Sequence, residues 1–393
     1  MNRVKFGDVV QEIKINVDRT TDDHEYFIAG EHMDSSNIHI TRRGRFSESD
    51  VGPAFIRLFR PGHVLYGSRR TYLRKVAVAD FEGITSNTTF VLETKDSNRL
   101  LQELLPYIML TDRFSEYAIN NSKGSTNPYI LFKDLAAYEF DLPTIEEQRQ
   151  LVVLLSACDR AKEAYKRLLK QTDEVVKSQF IEMFGDPREN PYSYPCEPLS
   201  EISDIMSGIT KGRKPKTTEL TKVPYICTAN VQNGFIDWSE TKYIEAPADE
   251  ISKYALLEDD ILMIEGGDAD KVGRGCMAGE LPKSCIYQNH VFRVRADKAL
   301  IEPAFLAAFI LLPSTKAYFL WCAKQTTGIA TINKKQLSEL QVMYPSLEDQ
   351  RRYLQFVQQC DKSKFVDLQT TISELYTCMI KSLSIYGGQS YAE

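Results

Sequence analysis

The chain has 393 residues, of which 43% are hydrophobic and 26% are charged, and its formal net charge is −6 at pH 7. The length suits two or more domains. The composition is typical of a folded chain and not of a disordered one. The longest apolar runs are too short to cross a bilayer, so we expect no membrane contact. The amino terminus lacks the apolar core of a signal peptide, so we expect a cytoplasmic location.

The sequence carries no recognisable catalytic or cofactor motif. Its eight cysteines are scattered without a Cys-x-x-Cys pair, and its five histidines show no metal-ligand spacing. There is no phosphate-binding Gly-x-x-x-x-Gly-Lys-Ser/Thr loop and no glycine-rich nucleotide fingerprint. We therefore expect no catalytic residue, no metal and no cofactor on this chain, and we interpret it as a binding protein.

Residues 1–141 mix short β-type runs with brief helical stretches, which predicts an α+β domain. Basic residues cluster on two turns of this segment, with tyrosine and asparagine nearby. A charge run is most often only a solvated face, but such side chains can also contact phosphates and guanine edges. The candidate DNA-binding residues of this segment are Arg42, Arg43, Arg45, Arg69, Arg70, Arg74 and Lys75.

A long helix is predicted over 142–185, with a linker at 186–195 after it. Thr144 and Glu147 have the spacing of a capping box, in which hydroxyl and carboxylate each satisfy a backbone N–H at the helix start. Apolar or small residues then recur in steps of four and three, which predicts a heptad seam on a helix about 60 Å long. The seam positions are 154, 158, 161, 165, 168, 172 and 175.

Residues 196–343 form a second segment of short β-type runs and brief helices, which again predicts an α+β domain. Its best basic cluster is the run KGRKPK, a loop with glycine and proline and no apolar periodicity. The candidate DNA-binding residues of this segment are Lys211, Arg213, Lys214, Lys216, Lys271 and Arg274.

A second helix is predicted over 344–387, with a tail at 388–393, and it repeats the start of the first helix. Aligned without gaps, 143–162 and 345–364 share seven identical residues at an offset of 202. The seam continues at Phe365, Leu368, Ile372, Leu375 and Met379. The predicted cap and spacer residues of the two copies are Thr144, Glu147, Gln148, Arg149, Ser346, Asp349, Gln350 and Arg351.

The chain is thus two copies of one plan, each a mixed domain followed by a helix. The two apolar stripes most simply pack against each other, and the pattern alone allows a parallel or an antiparallel pair. The alternative is that each stripe packs on its own domain. The distal halves of the two seams differ in phase, so the two helices need not present identical faces.

Two other functions stay open from the residues. Asp80, Glu93 and Lys95 loosely match a nuclease pattern that would hold Mg²⁺, but such short matches arise often by chance and the second copy has no counterpart. The chain could also be a coiled-coil scaffold whose domains bind protein.

The helices carry a family resemblance. Three stretches of the sequence resemble the specificity subunit of type I restriction–modification systems. They are LPTIEEQRQLVVLLSACD, KSQFIEMFGDP at 177–187 and the repeated stretch YPSLEDQRRYLQFVQQCD. The resemblance covers the whole plan and is most specific at 143–187. The second helix departs from the pattern, because it ends in IYGGQ without Asp-Pro.

The resemblance implies two α+β target-recognition domains, each reading half of a bipartite site in double-stranded DNA. It implies that the two helices form an antiparallel coiled coil with pseudo-twofold symmetry, which sets the spacing of the half-sites and docks two methyltransferase subunits. It also implies restriction subunits as partners. S-adenosylmethionine, ATP and Mg²⁺ are then expected on the partner subunits, and this chain has no catalytic site of its own.

Overall fold

The computed structural model describes residues 2–18, 24–213, 219–267, 271–326, 329–360, 371–372 and 374–381. These residues form two compact units. The first holds the described residues up to 167 together with those from 371 to 381, and the second holds those from 168 to 360. Of the predicted features, Lys214, Lys216, Phe365, Leu368 and the tail 388–393 lie outside the described residues.

The first domain mixes short strands with short helices, and the long helix α5 follows it. The strands are three to six residues of mostly branched and aromatic type, apart from the two-residue β4. In chain order the elements are β1 Asn2–Lys5, α1 Phe6–Val9, β2 Val10–Glu12, β3 Tyr26–Ile28, β4 Gly44–Arg45, β5 Phe55–Phe59, β6 Val64–Gly67, β7 Val76–Val78, β8 Gly83–Ser86, β9 Thr89–Thr94, α2 Leu105–Leu110, α3 Asp112–Asn120, α4 Phe132–Leu135, β10 Glu139–Leu142 and α5 Ile145–Phe184.

The second domain repeats this mixture, and a second helix, α10, follows it. In chain order the elements are β11 Cys196–Pro198, β12 Ser203–Ser207, β13 Thr221–Ile226, β14 Lys242–Ala246, α6 Ala248–Tyr254, β15 Ile261–Ile264, β16 Gly266–Gly267, β17 Gly275–Met277, β18 Ile286–Tyr287, β19 Val291–Ala296, α7 Pro303–Ile310, α8 Pro313–Cys322, β20 Lys324–Thr326, β21 Ile329–Thr331, α9 Lys334–Ser338, β22 Gln341–Met343 and α10 Leu347–Gln359.

The two domains share one strand order, which confirms the predicted internal repeat. The main sheet has the order β2-β9-β6-β7 in the first domain and β12-β19-β15-β17 in the second. The second strand of each sheet, β9 or β19, carries a phenylalanine at the same place, and these two residues, Phe90 and Phe292, are 202 positions apart. Phe90 pairs with Tyr66 of β6, and Phe292 pairs with Met263 of β15. In each domain a further sheet contains a parallel pair, β3 with β8 and β13 with β18. The first and last strands of each domain also pair, β1 with β10 and β11 with β22.

Each core lies between the main sheet and the helices that follow it. In the first domain, Phe6 and Phe114 are fully buried with ring centroids 5.3 Å apart, and Tyr66 meets Phe114 edge-on. In the second domain, Phe305 and Phe309 of α7 occupy the corresponding core. No single helix in the described ranges is long and apolar enough to cross a membrane; α7 and α8 pass that test only as a pair, by length and composition, with a bend of 63° between them.

Helix α5 runs for 40 residues without a break. The predicted capping box is present at its start, because the Thr144 N–H donates to the Glu147 carboxylate at 2.8 Å and the Glu147 N–H donates to the Thr144 hydroxyl at 3.4 Å. Gly185 ends the helix with a φ of +77°, and its N–H donates to the Ile181 carbonyl at 2.8 Å. A Cβ at Gly185 would lie 2.2 Å from the ring of Pro191, so only glycine fits this end.

The predicted seam on α5 is wrong at three of its positions, whereas the seam residue Cys158 packs against the first core. Leu154, Leu168 and Val175 occupy seam positions but are exposed, with 55%, 36% and 49% of their surface accessible. Their neighbours Leu155 and Val176 are buried. After the second domain, Leu375 is likewise exposed and Tyr376 is buried, whereas the predicted seam residue Met379 packs against the first core.

Polar residues on the buried face explain this error. Gln148 is fully buried and Asp159 is 3% exposed, and both lie on the same face of α5 as Leu155. A pattern that counts only apolar side chains excludes these two positions, so it selects the adjacent stripe. Leu154, Leu168 and Val175, which the pattern selected, are apolar but exposed in the chain by itself.

Each end of α5 packs within its own unit. In the first unit, Leu155 shares a core cluster with Tyr376 and Ile380, and the sulfur atoms of Cys158 and Met379 are 3.5 Å apart. In the second unit, Phe180 meets Tyr353 of α10 edge-on with ring centroids 5.4 Å apart. The Tyr353 hydroxyl also donates to the Val176 carbonyl at 3.3 Å.

A buried glutamine fixes the first domain to the start of α5. The Gln148 carboxamide nitrogen donates to the carbonyls of Arg99 and Pro143, both at 2.8 Å. Its carboxamide oxygen accepts from the Leu101 N–H at 2.9 Å. The side chain thus joins the first turn of the helix to the segment that precedes α2.

Gln350 makes the same three bonds in the second copy. Its nitrogen donates to the carbonyls of Leu300 at 3.2 Å and Pro345 at 2.8 Å, and its oxygen accepts from the Glu302 N–H at 2.8 Å. The side chain is also fully buried. We call Gln148 and Gln350 the glutamine clasps. They explain why the sequence repeats a glutamine at this place in both helix starts.

We predict that Gln148→Leu lowers the free energy of unfolding of the chain by about 1–3 kcal/mol, because it removes the side-chain partner of three backbone groups that are buried or partly buried. Urea unfolding followed by circular dichroism measures the change. Gln150→Leu, on the exposed side of the same turn, is the matched control and should have little effect. Equal losses in the two variants would contradict a specific role for the clasp.

Candidate nucleic-acid interface

The first basic cluster of the first domain is organised by stacking on aromatic rings. The Arg43 guanidinium lies 3.7 Å from the centre of the Tyr26 ring and 4.9 Å from that of Phe81. Arg45 approaches the same tyrosine at 5.5 Å. Arginine stacked on an aromatic face keeps its outward N–H groups available, so this arrangement suits phosphate or base contacts.

The second basic cluster lies on the connection between β6 and β7. Arg70 and Arg74 both have left-handed backbone conformations, with φ of 50° and 48°. They flank a short turn at Thr71–Leu73 in which the Tyr72 side chain is 53% exposed. Left-handed non-glycine residues are uncommon and cluster at functional sites. The connection therefore presents two arginines around an exposed ring.

Several of the predicted cations have partners within the first domain. Arg42 pairs with Asp34 at 2.5 Å, and Arg74 pairs with Asp112 at 2.7 Å. The Lys75 ammonium donates to the Gly30 carbonyl, and burial lowers the pKa of Lys75. These contacts orient the side chains, and the acids reduce the net positive charge that they present.

In the second domain the loop residue Arg213 forms an ion pair with Glu250, and both side chains are mostly buried. This pair attaches the loop to α6, so the Arg213 guanidinium is largely used within the domain. Lys211 is exposed. Lys271 and Arg274, by contrast, line a cavity on the connection between β15 and β17.

This basic cavity has a volume of about 570 Å³. Four cationic side chains line it, from α5, from the β15–β17 connection and from α8: Lys177, Lys271, Arg274 and Lys316. Arg274 is held in place by bonds to the Gln232 carboxamide at 3.1 Å and the Thr228 carbonyl at 3.3 Å. The four cations make the cavity positively charged, which suits an anion such as a phosphate group.

The structure adds Lys177 and Lys316 to the predicted set. Neither lies in a basic run, because Lys177 is on the long helix and Lys316 is on an apolar helix. Only the fold of the second unit brings them beside Lys271 and Arg274. No local signal in the sequence could have identified them.

A histidine–carboxylate pair joins the first domain to α5. The His39 imidazole hydrogen-bonds to Asp159, whose carboxylate is buried. This bond raises the pKa of His39 above its ordinary value, although partial burial acts in the opposite direction. The pair explains why the buried face of α5 holds a carboxylate.

The residues of the nuclease alternative do not form a metal site. Glu93 lies in β9 opposite Gln11, and the Lys95 ammonium donates to the Gly7 carbonyl at 2.5 Å. In the part of the chain that the structure describes, no group of three or more His, Cys, Asp or Glu side chains is placed to hold a metal ion. The geometry gives this alternative no support.

Comparison with known proteins identifies the family. The model of the type I restriction modification DNA specificity domain matches residues 22–172 and 198–375. A type I restriction enzyme specificity subunit of Methanocaldococcus jannaschii, MjaIX, is 26% identical over 302 residues, which cover 72% of this chain and 65% of that protein. The Escherichia coli K12 EcoKI specificity subunit is 24% identical over 165 residues, which cover 41% of this chain and 34% of that protein.

A solved structure shares the fold. The crystal structure of the type I restriction–modification system S subunit from M. genitalium is 14% identical, covers 99% of this chain and 96% of that chain, and has a TM-score of 0.53. The matched segments span between 28% and 65% of the lengths of the curated relatives.

The family model matches the chain twice, once in each half, and the chain belongs to the type I restriction modification DNA specificity domain family. The resemblance that the helix starts indicated is therefore confirmed. So is the fold class of two α+β domains, each followed by a helix. The family is that of the non-catalytic specificity subunit, which is consistent with the absence of a catalytic motif from the sequence.

Proposed function

We propose that this chain is the DNA sequence-recognition subunit of a type I restriction–modification complex, and that each α+β domain reads one half of a bipartite site in double-stranded DNA. The observation that carries the proposal is the repeat of one framework: the same strand order and the same glutamine clasp occur in both domains. Two domains with the same framework suit a DNA target made of two half-sites.

We assign residues 1–141 and 196–343 to the two target-recognition domains, 142–185 and 344–387 to the spacer helices, 186–195 to the linker and 388–393 to a tail. The helices then run antiparallel as a coiled coil and set the distance between the half-sites. Contacts within each unit support this direction. The start of α5 packs near Tyr376, and its end packs near Tyr353.

The predicted cations supply the electrostatic part of binding. We propose that phosphates are contacted by the residues of the basic cavity and by Arg43, Arg45 and Arg70; aromatic stacking of Arg43 and Arg45 supports this, and the acidic total charge does not oppose it because local charge decides such contacts. Lys214 and Lys216 remain candidates from the sequence.

Two methyltransferase subunits are the proposed partners on the helices. Val153, Leu154, Leu168 and Val175 are exposed on α5, and the last three are spaced by multiples of seven, so they lie close to one line along the helix. An exposed apolar line of this kind is typical of a protein-binding surface. Restriction subunits complete the assembly in the cytoplasm. S-adenosylmethionine, ATP and Mg²⁺ belong to these partners, and this chain contributes sequence recognition.

We predict that Leu168→Glu weakens association with the methyltransferase subunits by at least tenfold, because it places a charge in the apolar line. Co-purification and calorimetry with the co-expressed subunits measure the change. Lys170→Glu, on a different face of α5, alters the charge by a larger amount and should have little effect. Loss of binding in both variants, or in neither, would contradict docking on this line.

Methylome sequencing of cells that carry the complete system tests the proposed function. We expect methylation at a bipartite motif with two defined halves and a fixed gap. DNA binding by the assembled complex should weaken with salt in proportion to the number of phosphates contacted. Cleavage of DNA by the isolated chain would favour the nuclease alternative, and a complex without any sequence preference would favour the scaffold.

A further inference from the structure

Three segments meet in the same way at one edge of each domain. In the first domain, the Ser68 N–H donates to the Thr88 carbonyl at 3.1 Å, and the Ile130 N–H donates to the Ser68 carbonyl at 2.9 Å. These residues belong to the connection after β6, the turn before β9 and the closing loop before α4. We call this the reading edge of the domain.

The second domain builds its reading edge with the same two hydrogen bonds. The Glu265 N–H donates to the His290 carbonyl at 3.0 Å, and the Ile332 N–H donates to the Glu265 carbonyl at 2.9 Å. Thr88 and His290 differ by 202 residues in number, and so do Ile130 and Ile332. The backbone framework at this edge is therefore common to the two domains.

The side chains on this common framework differ. In the first domain, Ser68 is buried, and its hydroxyl donates to the Thr88 carbonyl at 2.6 Å. In the second domain, the Glu265 carboxylate bonds to the His290 imidazole at 2.6 Å, and the two side chains are 34% and 55% exposed. A shared backbone that carries different side chains is what two domains with different targets require.

The Glu265–His290 pair opens into a cavity of about 460 Å³. Gly266 and Gly267 form part of the wall, and a Cβ at Gly266 would lie 2.5 Å from the Thr331 side chain, so only glycine fits at this place in the wall. Lys271 lines this cavity and also the basic cavity beside it. The two cavities are therefore neighbours with a lysine in common.

Structural ion pairs elsewhere in the domain look different. Asp260, which pairs with Arg295 through two bonds at 2.6 and 2.7 Å, is 1% exposed. Arg293, which pairs with Asp204, is 3% exposed. These pairs each bury a charged group within the sheet. The Glu265–His290 pair keeps both groups accessible at the mouth of a cavity, which is the placement expected of a ligand-binding group.

We propose that Glu265, oriented by His290, reads the exocyclic amino group of a cytosine in the second half of the DNA site, and that Lys271 contacts the paired guanine. This inference rests on the proposed function. A carboxylate accepts from the N4 amino group of cytosine in the major groove, and a lysine donates to guanine O6 and N7. A C·G pair presents these two groups side by side.

The basic cavity then holds the phosphate backbone beside the base that is read. Lys177, Arg274 and Lys316 supply the positive charge, and Arg274 is fixed through the Thr228 carbonyl. Thr228 also lines the Glu265 cavity. Thr228 thus fixes Arg274 beside the cavity that holds Glu265, so that the phosphate contact lies next to the base that is read.

Methylome sequencing with Glu265→Gln tests this inference in cells that carry the complete system. We expect a roughly tenfold loss of discrimination for C·G at one position of the second half-site, with a shift toward adenine, because a carboxamide suits the adenine edge. The first half-site and the gap should be unchanged, and their retention shows that the complex is folded. Glu280→Gln, an exposed glutamate on the turn after β17, is the matched control and should leave the whole motif unchanged.

The possible outcomes separate the two proposals. A bipartite motif in the wild type that Glu265→Gln leaves unchanged overturns the inference and leaves the proposed function intact. A uniform loss of methylation at every site also overturns it, because this result indicates a structural role for Glu265. A wild-type system without any bipartite motif overturns the proposed function and this inference with it.

Discussion

The structure depends on a buried carboxamide that joins each domain to its helix. Gln148 and Gln350 each hydrogen-bond to three backbone groups, and a side chain of another length or charge would break some of these bonds. The bond set is the same in both copies, so it fixes the same orientation of domain on helix twice. This constraint explains why the sequence motif that contains the glutamine occurs at the start of both helices.

Because the clasp and the strand order are held constant, the rest of each domain is free to vary. The main sheets share their order and the register of their second strands, yet the reading edges carry a buried serine in one domain and an exposed glutamate–histidine pair in the other. The basic residues also differ, with stacked arginines in the first domain and a four-cation cavity in the second. A common frame with different side chains is consistent with two domains that read different sequences.

The features that the sequence predicted are those with a local cause. The capping box at Thr144 depends on residues three apart in the chain. The repeat at an offset of 202 is visible when two short stretches of sequence are aligned, and both features are present in the structure. The α5 seam was wrong at Leu154, Leu168 and Val175, because a pattern of apolar residues leaves out the buried polar residues Gln148 and Asp159. Lys177 and Lys316 escaped prediction because only tertiary folding brings these distant residues into one cavity. The Glu265–His290 pair likewise required the strand order.

The central claim is that each domain reads its half-site independently on a common helical frame. The direct measurement is the methylome of cells in which residues 196–343 are exchanged for the corresponding segment of a relative, with both helices retained. The account predicts that one half of the methylated motif changes to that of the relative, while the other half stays the same. A change in both halves, or in neither, would contradict it.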